Sequence, residues 1–149
     1  MIQSFSYPRS CRFSTEFTLH VNGQAVEVLR TDAADFAIFV YDASQGPAEV
    51  VVKRRIEPIL EHALRPLSLG LEGALREDGA LVFQLTSAQK LSVEVAGSRP
   101  LYVWANPPEL DVPSEADPNV IYFKGGQTYE VGRLELQAGQ TVYLEGGAV

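Results

Sequence analysis

Ile121-Tyr122-Phe123-Lys124-Gly125-Gly126 is followed 21 residues later by Val142-Tyr143-Leu144-Glu145-Gly146-Gly147. The tyrosine and both glycines recur in identity, and the other positions match in character. A period near 20 residues, built from short strands and glycine corners, predicts coils of a parallel β-helix in which each strand stacks on its equivalent. On that reading Lys124 lies over Glu145, and Leu134 and Leu136 alternate between the two copies. Two unrelated strands that both end in glycine turns would be the plainer account; six matched positions at one offset favour the repeat. A coil cannot bury its own core, and about three or more stacked repeats are usually needed. Residues 120–149 hold little more than one, so they read as the truncated start of a parallel β-helix.

Upstream the hydrophobic period is two. Phe13, Thr15, Phe17, Leu19 and Val21 share one strand face, Asn22-Gly23 offers a type I′ turn, and Val26 and Val28 alternate on the return. Residues 13–30 are therefore predicted as a β-hairpin. Asp35 to Tyr41 is a near-continuous apolar run, expected of a strand buried on both faces. Further strands are marked by Val50-Val51-Val52, by Leu81, Phe83 and Leu85, by Leu91, Val93 and Val95, and by Leu101 and Val103. Turn residues separate them at intervals near ten, the pattern of an antiparallel β-sandwich. A short helix fits Glu57 to Leu64, with Pro58 in its first turn and Pro66 stopping it. Residues 1–106 are thus assigned to a sandwich domain. Residues 107–119, acidic and rich in proline, are assigned to a linker, and residues 120–149 to the start of the β-helix.

A chain of 149 residues has room for one ordinary domain, or one plus a fragment. A single cysteine, Cys11, excludes a disulfide scaffold, and only His20 and His62 offer imidazoles. Twelve basic residues against nineteen acidic ones, a net charge of -7, argue against a nucleic-acid partner and against adhesion to anionic membranes. No apolar run approaches the roughly 20 residues of a membrane-spanning helix. Met1 to Phe13 lacks the apolar core of a signal peptide, so the default expectation is a cytoplasmic protein.

Three segments carry a family resemblance: LELQAGQTVYLEGGAV from Leu134, DPNVIYF from Asp117 and LYVWANPPE from Leu101. With VNGQAVEV, RPLSLGL and KLSVEV further upstream, they resemble the amino-terminal part of β-helical glycoside hydrolases of the polygalacturonase-like and dextranase-like type. The resemblance implies an immunoglobulin-like antiparallel β-sandwich ahead of a right-handed parallel β-helix. It also implies hydrolysis of polysaccharide by aspartates on central coils, beyond residue 149. The family's Asn-x-Asp, Asp-Asp and Gly-His-Gly patterns are absent, so no catalytic residue transfers to this chain.

The residues themselves offer few sites. Glycoside hydrolysis needs two carboxyl groups across a sugar. Asp32, Asp35 and Asp42 flank a strand and read as solvated turn residues. Glu109, Asp111, Glu115 and Asp117 lack the ordered spacing of a calcium loop, so no metal and no cofactor is expected. Tyr102 and Trp104 share one strand face; exposed they would form a sugar-stacking platform, although packing is the preferred reading for aromatics on a sheet. Cys11, Ser68 and Ser92 have no local base, and His20 and His62 read as surface residues. Gly125-Gly126 and Gly146-Gly147 lack the Lys-Ser/Thr of a phosphate loop. The expected role is a non-catalytic accessory or capping region of a polysaccharide-degrading enzyme. A carbohydrate-binding module and a fragment that pairs with a second copy through its exposed β-helix edge are the alternatives.

Overall fold

The computed structural model describes residues 1–149, and it is all-β with two single-turn 3-10 helices, Ala43–Gln45 and Leu67–Leu69. The early strands are β1 (Ile2–Ser4), β2 (Phe17–Val21), β3 (Gln24–Val26), β4 (Val28–Arg30), β5 (Asp35–Tyr41) and β6 (Ala48–Arg54). They are followed by β7 (His62–Arg65), β8 (Ala74–Leu75), β9 (Leu81–Leu85), β10 (Lys90–Val95) and β11 (Leu101–Asn106). The last pair is β12 (Val120–Phe123) and β13 (Thr141–Leu144). The chain forms two compact units, Met1–Ser4 with Arg12–Pro108, and Phe5–Cys11 with Glu109–Val149.

The first unit holds two sheets. One runs β3-β2-β6-β9-β8; the other runs β1-β5-β11-β10-β7, with β4 also paired to β5. Period-two alternation sends Phe17, Leu19 and Val21 of β2, Val50 and Val52 of β6, and Leu81, Phe83 and Leu85 of β9 inward. Phe39, Val93, Leu101 and Val103 from the other sheet join them in one hydrophobic cluster. Each such side chain contributes about 1.5–3 kcal/mol on leaving water. Tyr41 brings a polar tip into this core. Its hydroxyl lies 2.7 Å from the Gly46 carbonyl oxygen and 2.9 Å from that of Leu85, so a residue of β5 is tied to the last residue of β9.

Asn22 (φ 48°) and Gly23 (φ 78°) both adopt the positive φ of a type I′ turn between β2 and β3. The predicted hairpin is shorter than residues 13–30, however. The chain leaves the first sheet after Val26, and Val28–Arg30 pairs with β5 in the second. Phe13 makes only an isolated bridge with Leu29. β5 is not buried on both faces: Phe36, Ile38 and Val40 are half-buried, because they occupy the outer face of their sheet. Nor is the second sheet wholly antiparallel. β11 runs parallel to β5, with Tyr102 beside Phe36 and Trp104 beside Ile38, which is possible because a long connection rather than a hairpin joins them.

The predicted helix at residues 57–64 does not form. Ile59 is fully buried with its N–H bonded to the Gly79 carbonyl, whereas Leu60 is 75% exposed. His62–Arg65 instead pairs with β10, so ladder bonds replace the helical ones.

In the second unit β12 and β13 are parallel, with Ile121 beside Val142, Tyr122 beside Tyr143 and Phe123 beside Leu144. The 21-residue offset of the sequence is therefore the register of the ladder. It persists past the strands: Gly126 N–H donates to the Gly147 carbonyl (2.9 Å) and Val149 N–H to that of Gln127 (3.0 Å). Both glycines of each pair have a reason. Gly126 (φ 75°) and Gly147 (φ 92°) turn the chain in the left-handed region. Gly125 has no room for a Cβ beside the Gly146 carbonyl, and a Cβ on Gly146 would overlap the Phe5 ring.

Lys124 does not pair with Glu145. Its Nζ lies 2.9 Å from Glu115, while the Glu145 carboxylate accepts a hydrogen bond from Gly125 N–H at 2.9 Å. The corner amide is a donor the ladder leaves unmet, and a charged acceptor takes it. Leu134 and Leu136 form no strand and are 41% and 54% exposed. Tyr122 and Tyr143 pack ring against ring, with centroids 5.0 Å apart and planes tilted by 43°. The Tyr143 hydroxyl donates to Glu109 at 2.6 Å, a contact that, with burial and the Glu109 charge, pushes its phenol up to about 12.

Two outcomes are expected. Gly146→Ala should destabilise the protein by about 1–3 kcal/mol through overpacking, and Phe5→Ala in the same chain should recover part of that loss in denaturant titrations. An additive double mutant would contradict the contact. Because the folded phenol of Tyr143 titrates above its ordinary value of 10.0, its stabilising contribution is complete below pH 10 and lost as pH rises towards 12. Phenolate absorbance should show a late step for Tyr143 beside the upward shift that burial gives Tyr122, and Tyr143→Phe should remove the step near pH 12 and flatten stability over this window.

Candidate functional site: an aromatic groove on the outer sheet face

Because Leu101, Val103 and Ala105 point into the core, Tyr102 and Trp104 stand on the opposite, outer face of β11. Tyr102 is 40% exposed and Trp104 half-buried. Their ring centroids are 6.4 Å apart, and Phe36 of β5 lies 6.0 Å from Trp104, so three aromatic rings form a strip. The register of β10 sets Lys90 beside Trp104 and Ser92 beside Tyr102. Lys90 Nζ sits 5.9 Å from the Trp104 ring centroid, a cation–π contact of about 0.5–1 kcal/mol at an exposed site. On the next strand Arg65 is held by Glu94, Nε to Oε2, at 2.8 Å.

Arg65, Leu67, Lys90, Ser92, Tyr102 and Trp104 line a groove of ≈ 610 Å³. That volume lies within the range of small-molecule sites. Tyr102 and Trp104 were legible as a pair from their spacing. Lys90, Ser92 and Arg65 were not, although the alternation of Lys90-Leu91-Ser92 did place the first and third on one face. Their meeting with Trp104 and Tyr102 depends on cross-strand register.

The carboxylates are dispersed. Asp32 is exposed and paired with Arg12 at 2.7 Å, and this hydrogen bond holds its carboxyl below the usual range. Asp42 caps the 3-10 turn by accepting from the Ser44 N–H (3.0 Å) and hydroxyl (2.6 Å), and the Ser44 bonds likewise lower it. Asp35 is not the solvated turn residue its neighbours suggested. It is fully buried, with one oxygen accepting from the Ser14 hydroxyl and the other, Oδ1, without a partner. Ser14 Oγ in turn accepts from the N–H groups of Glu16 (3.1 Å) and Phe17 (2.9 Å), so the pair anchors the entry to β2.

The acidic segment is divided in the same way. Glu109 serves Tyr143, Glu115 serves Lys124, and Asp117 accepts from Asn119 N–H at 2.9 Å. No group of three or more His, Cys, Asp or Glu side chains is placed to hold a metal ion. His20 lies half-buried on β2, and His62 lies on β7 against Gly73. Cys11 is half-buried, with its N–H bonded to the Pro8 carbonyl at 3.0 Å. The groove can therefore stack, charge-pair and hydrogen-bond a ligand, but it presents no nucleophile with an adjacent base.

No family model matches the chain, and no curated protein sequence does. Among solved structures it is similar to Dex49A from Penicillium minioluteum, at 15% identity and a TM-score of 0.69. The match covers 98% of this chain and 44% of that one, so the chain spans less than half the length of the structure it resembles. At this identity the likeness establishes a shared all-β fold, and nothing of activity.

Proposed function

We propose that residues 1–149 are the non-catalytic amino-terminal accessory region of a polysaccharide-degrading glycoside hydrolase. On this reading the first unit is an immunoglobulin-like β-sandwich. The second is the opening of a right-handed parallel β-helix, which the sandwich helps to cap. The observation that carries the proposal is the match to Dex49A, a dextranase, over nearly the whole of this chain. The transfer from fold to role is an analogy. The parallel register at a 21-residue offset supports it, since stacked coils repeat in that way. Capping has a physical purpose as well, because an open end of a solenoid exposes unpaired backbone groups.

Purified residues 1–149 should release no reducing ends from dextran or polygalacturonate, whereas release that survives repurification would contradict the accessory role. The coding sequence downstream of Val149 should contain further coils of similar period bearing paired aspartates; a downstream reading frame without such coils would end the β-helix reading.

A second reading rests on β13, which is paired on one edge only. Two copies could join through that edge. Light scattering over a concentration series should then show dimers, and a strictly monomeric chain at high concentration would remove this reading.

A further inference from the structure

Two cations, Lys90 and Arg65, flank the aromatic groove. The chain has three lysines and a net charge of -7. Lys53 is paired with Asp78 and Lys124 with Glu115. Lys90 alone has no carboxylate partner, and its ammonium rests over Trp104. Across the groove Arg65 is fixed through Nε by Glu94, which leaves its two terminal amino groups free and oriented. Ser92, two residues along β10 from Lys90, stands in register with Arg65 on one side and Tyr102 on the other. An acidic protein that keeps an unpaired cation and a half-engaged guanidinium beside exposed rings has local complementarity to an anionic, ring-shaped ligand.

We propose that this groove binds a glycan bearing carboxylates, a polyuronate segment. A pyranose ring lies against Tyr102 and Trp104, its carboxylate is taken by Lys90 and Arg65, and a ring hydroxyl meets Ser92. Lys90 exchanges a cation–π contact for a charge-assisted hydrogen bond, so little is lost when the ligand displaces it. A neutral glucan would gain the stacking alone, and an acidic peptide the charge alone. The identification of a glycan rests on the accessory-region reading; the preference for an acidic one comes from the groove.

Affinity electrophoresis of residues 1–149 through gels holding polygalacturonate, dextran or polyglutamate tests the site, with calorimetry on an oligouronate for affinity. Retardation by polygalacturonate alone is expected, weakening as salt is added. Lys90→Gln, an exposed change that leaves the core untouched, should weaken binding at least tenfold. Tyr102→Ala and Trp104→Ala should abolish it while thermal unfolding remains cooperative. The proposal is overturned by equal retardation in polyglutamate, by equal retardation in dextran, by indifference to Lys90→Gln, or by no retardation of the unaltered chain. None of these results bears on the accessory role, which is judged by reducing-end release and by the downstream coils.

Discussion

A strand has two faces, and in the first unit the inner face decides the outer one. Packing Leu101, Val103 and Ala105 against the opposite sheet obliges Tyr102 and Trp104 to stand on the far side of β11. The same alternation on β10 buries Leu91 and Val93 and turns Lys90 and Ser92 outward. Since β10 and β11 are in register at Lys90–Trp104 and Ser92–Tyr102, the groove is a by-product of core burial. A one-residue slip of either strand would send its polar or aromatic set into the core and dissolve both features together.

The second unit is governed by close approach of backbone instead. Its side chains are mostly exposed, and its order comes from a parallel ladder that continues around a glycine corner. One glycine of each pair supplies positive φ, and the other supplies the absence of a side chain. Tyr122 and Tyr143 then pack together because the ladder places them in register, and Glu109 accepts a hydrogen bond from the Tyr143 hydroxyl. A ladder of two strands leaves its outer edges unpaired.

Abundant carboxylates do not make a site here. Most are occupied singly, by an arginine, a lysine, a tyrosine hydroxyl or a backbone N–H. Asp35 is the exception in kind. A buried carboxyl with one unmet oxygen costs on the order of 1–3 kcal/mol or more, yet it holds the Ser14 hydroxyl that receives two amides at the start of β2. The likeness to Dex49A is a statement about the fold.

Local pattern alone determined much of this protein. Period-two alternation marked the core strands, Asn22-Gly23 marked the type I′ turn, and the recurrence of Tyr and Gly-Gly marked the offset that the β12–β13 ladder adopts. These features depend on neighbours in sequence, or on a repeat that sequence displays. Tertiary structure decided the rest. It split residues 13–30 between two sheets, drew His62–Arg65 into a ladder in place of a helix, and laid β11 parallel to β5. It buried Asp35, sent Lys124 to Glu115, and brought Phe5 against Gly146. Each of these outcomes joins residues distant in sequence, and whether a backbone donor, a charge or a ring finds its partner there depends on register and space that no local pattern encodes.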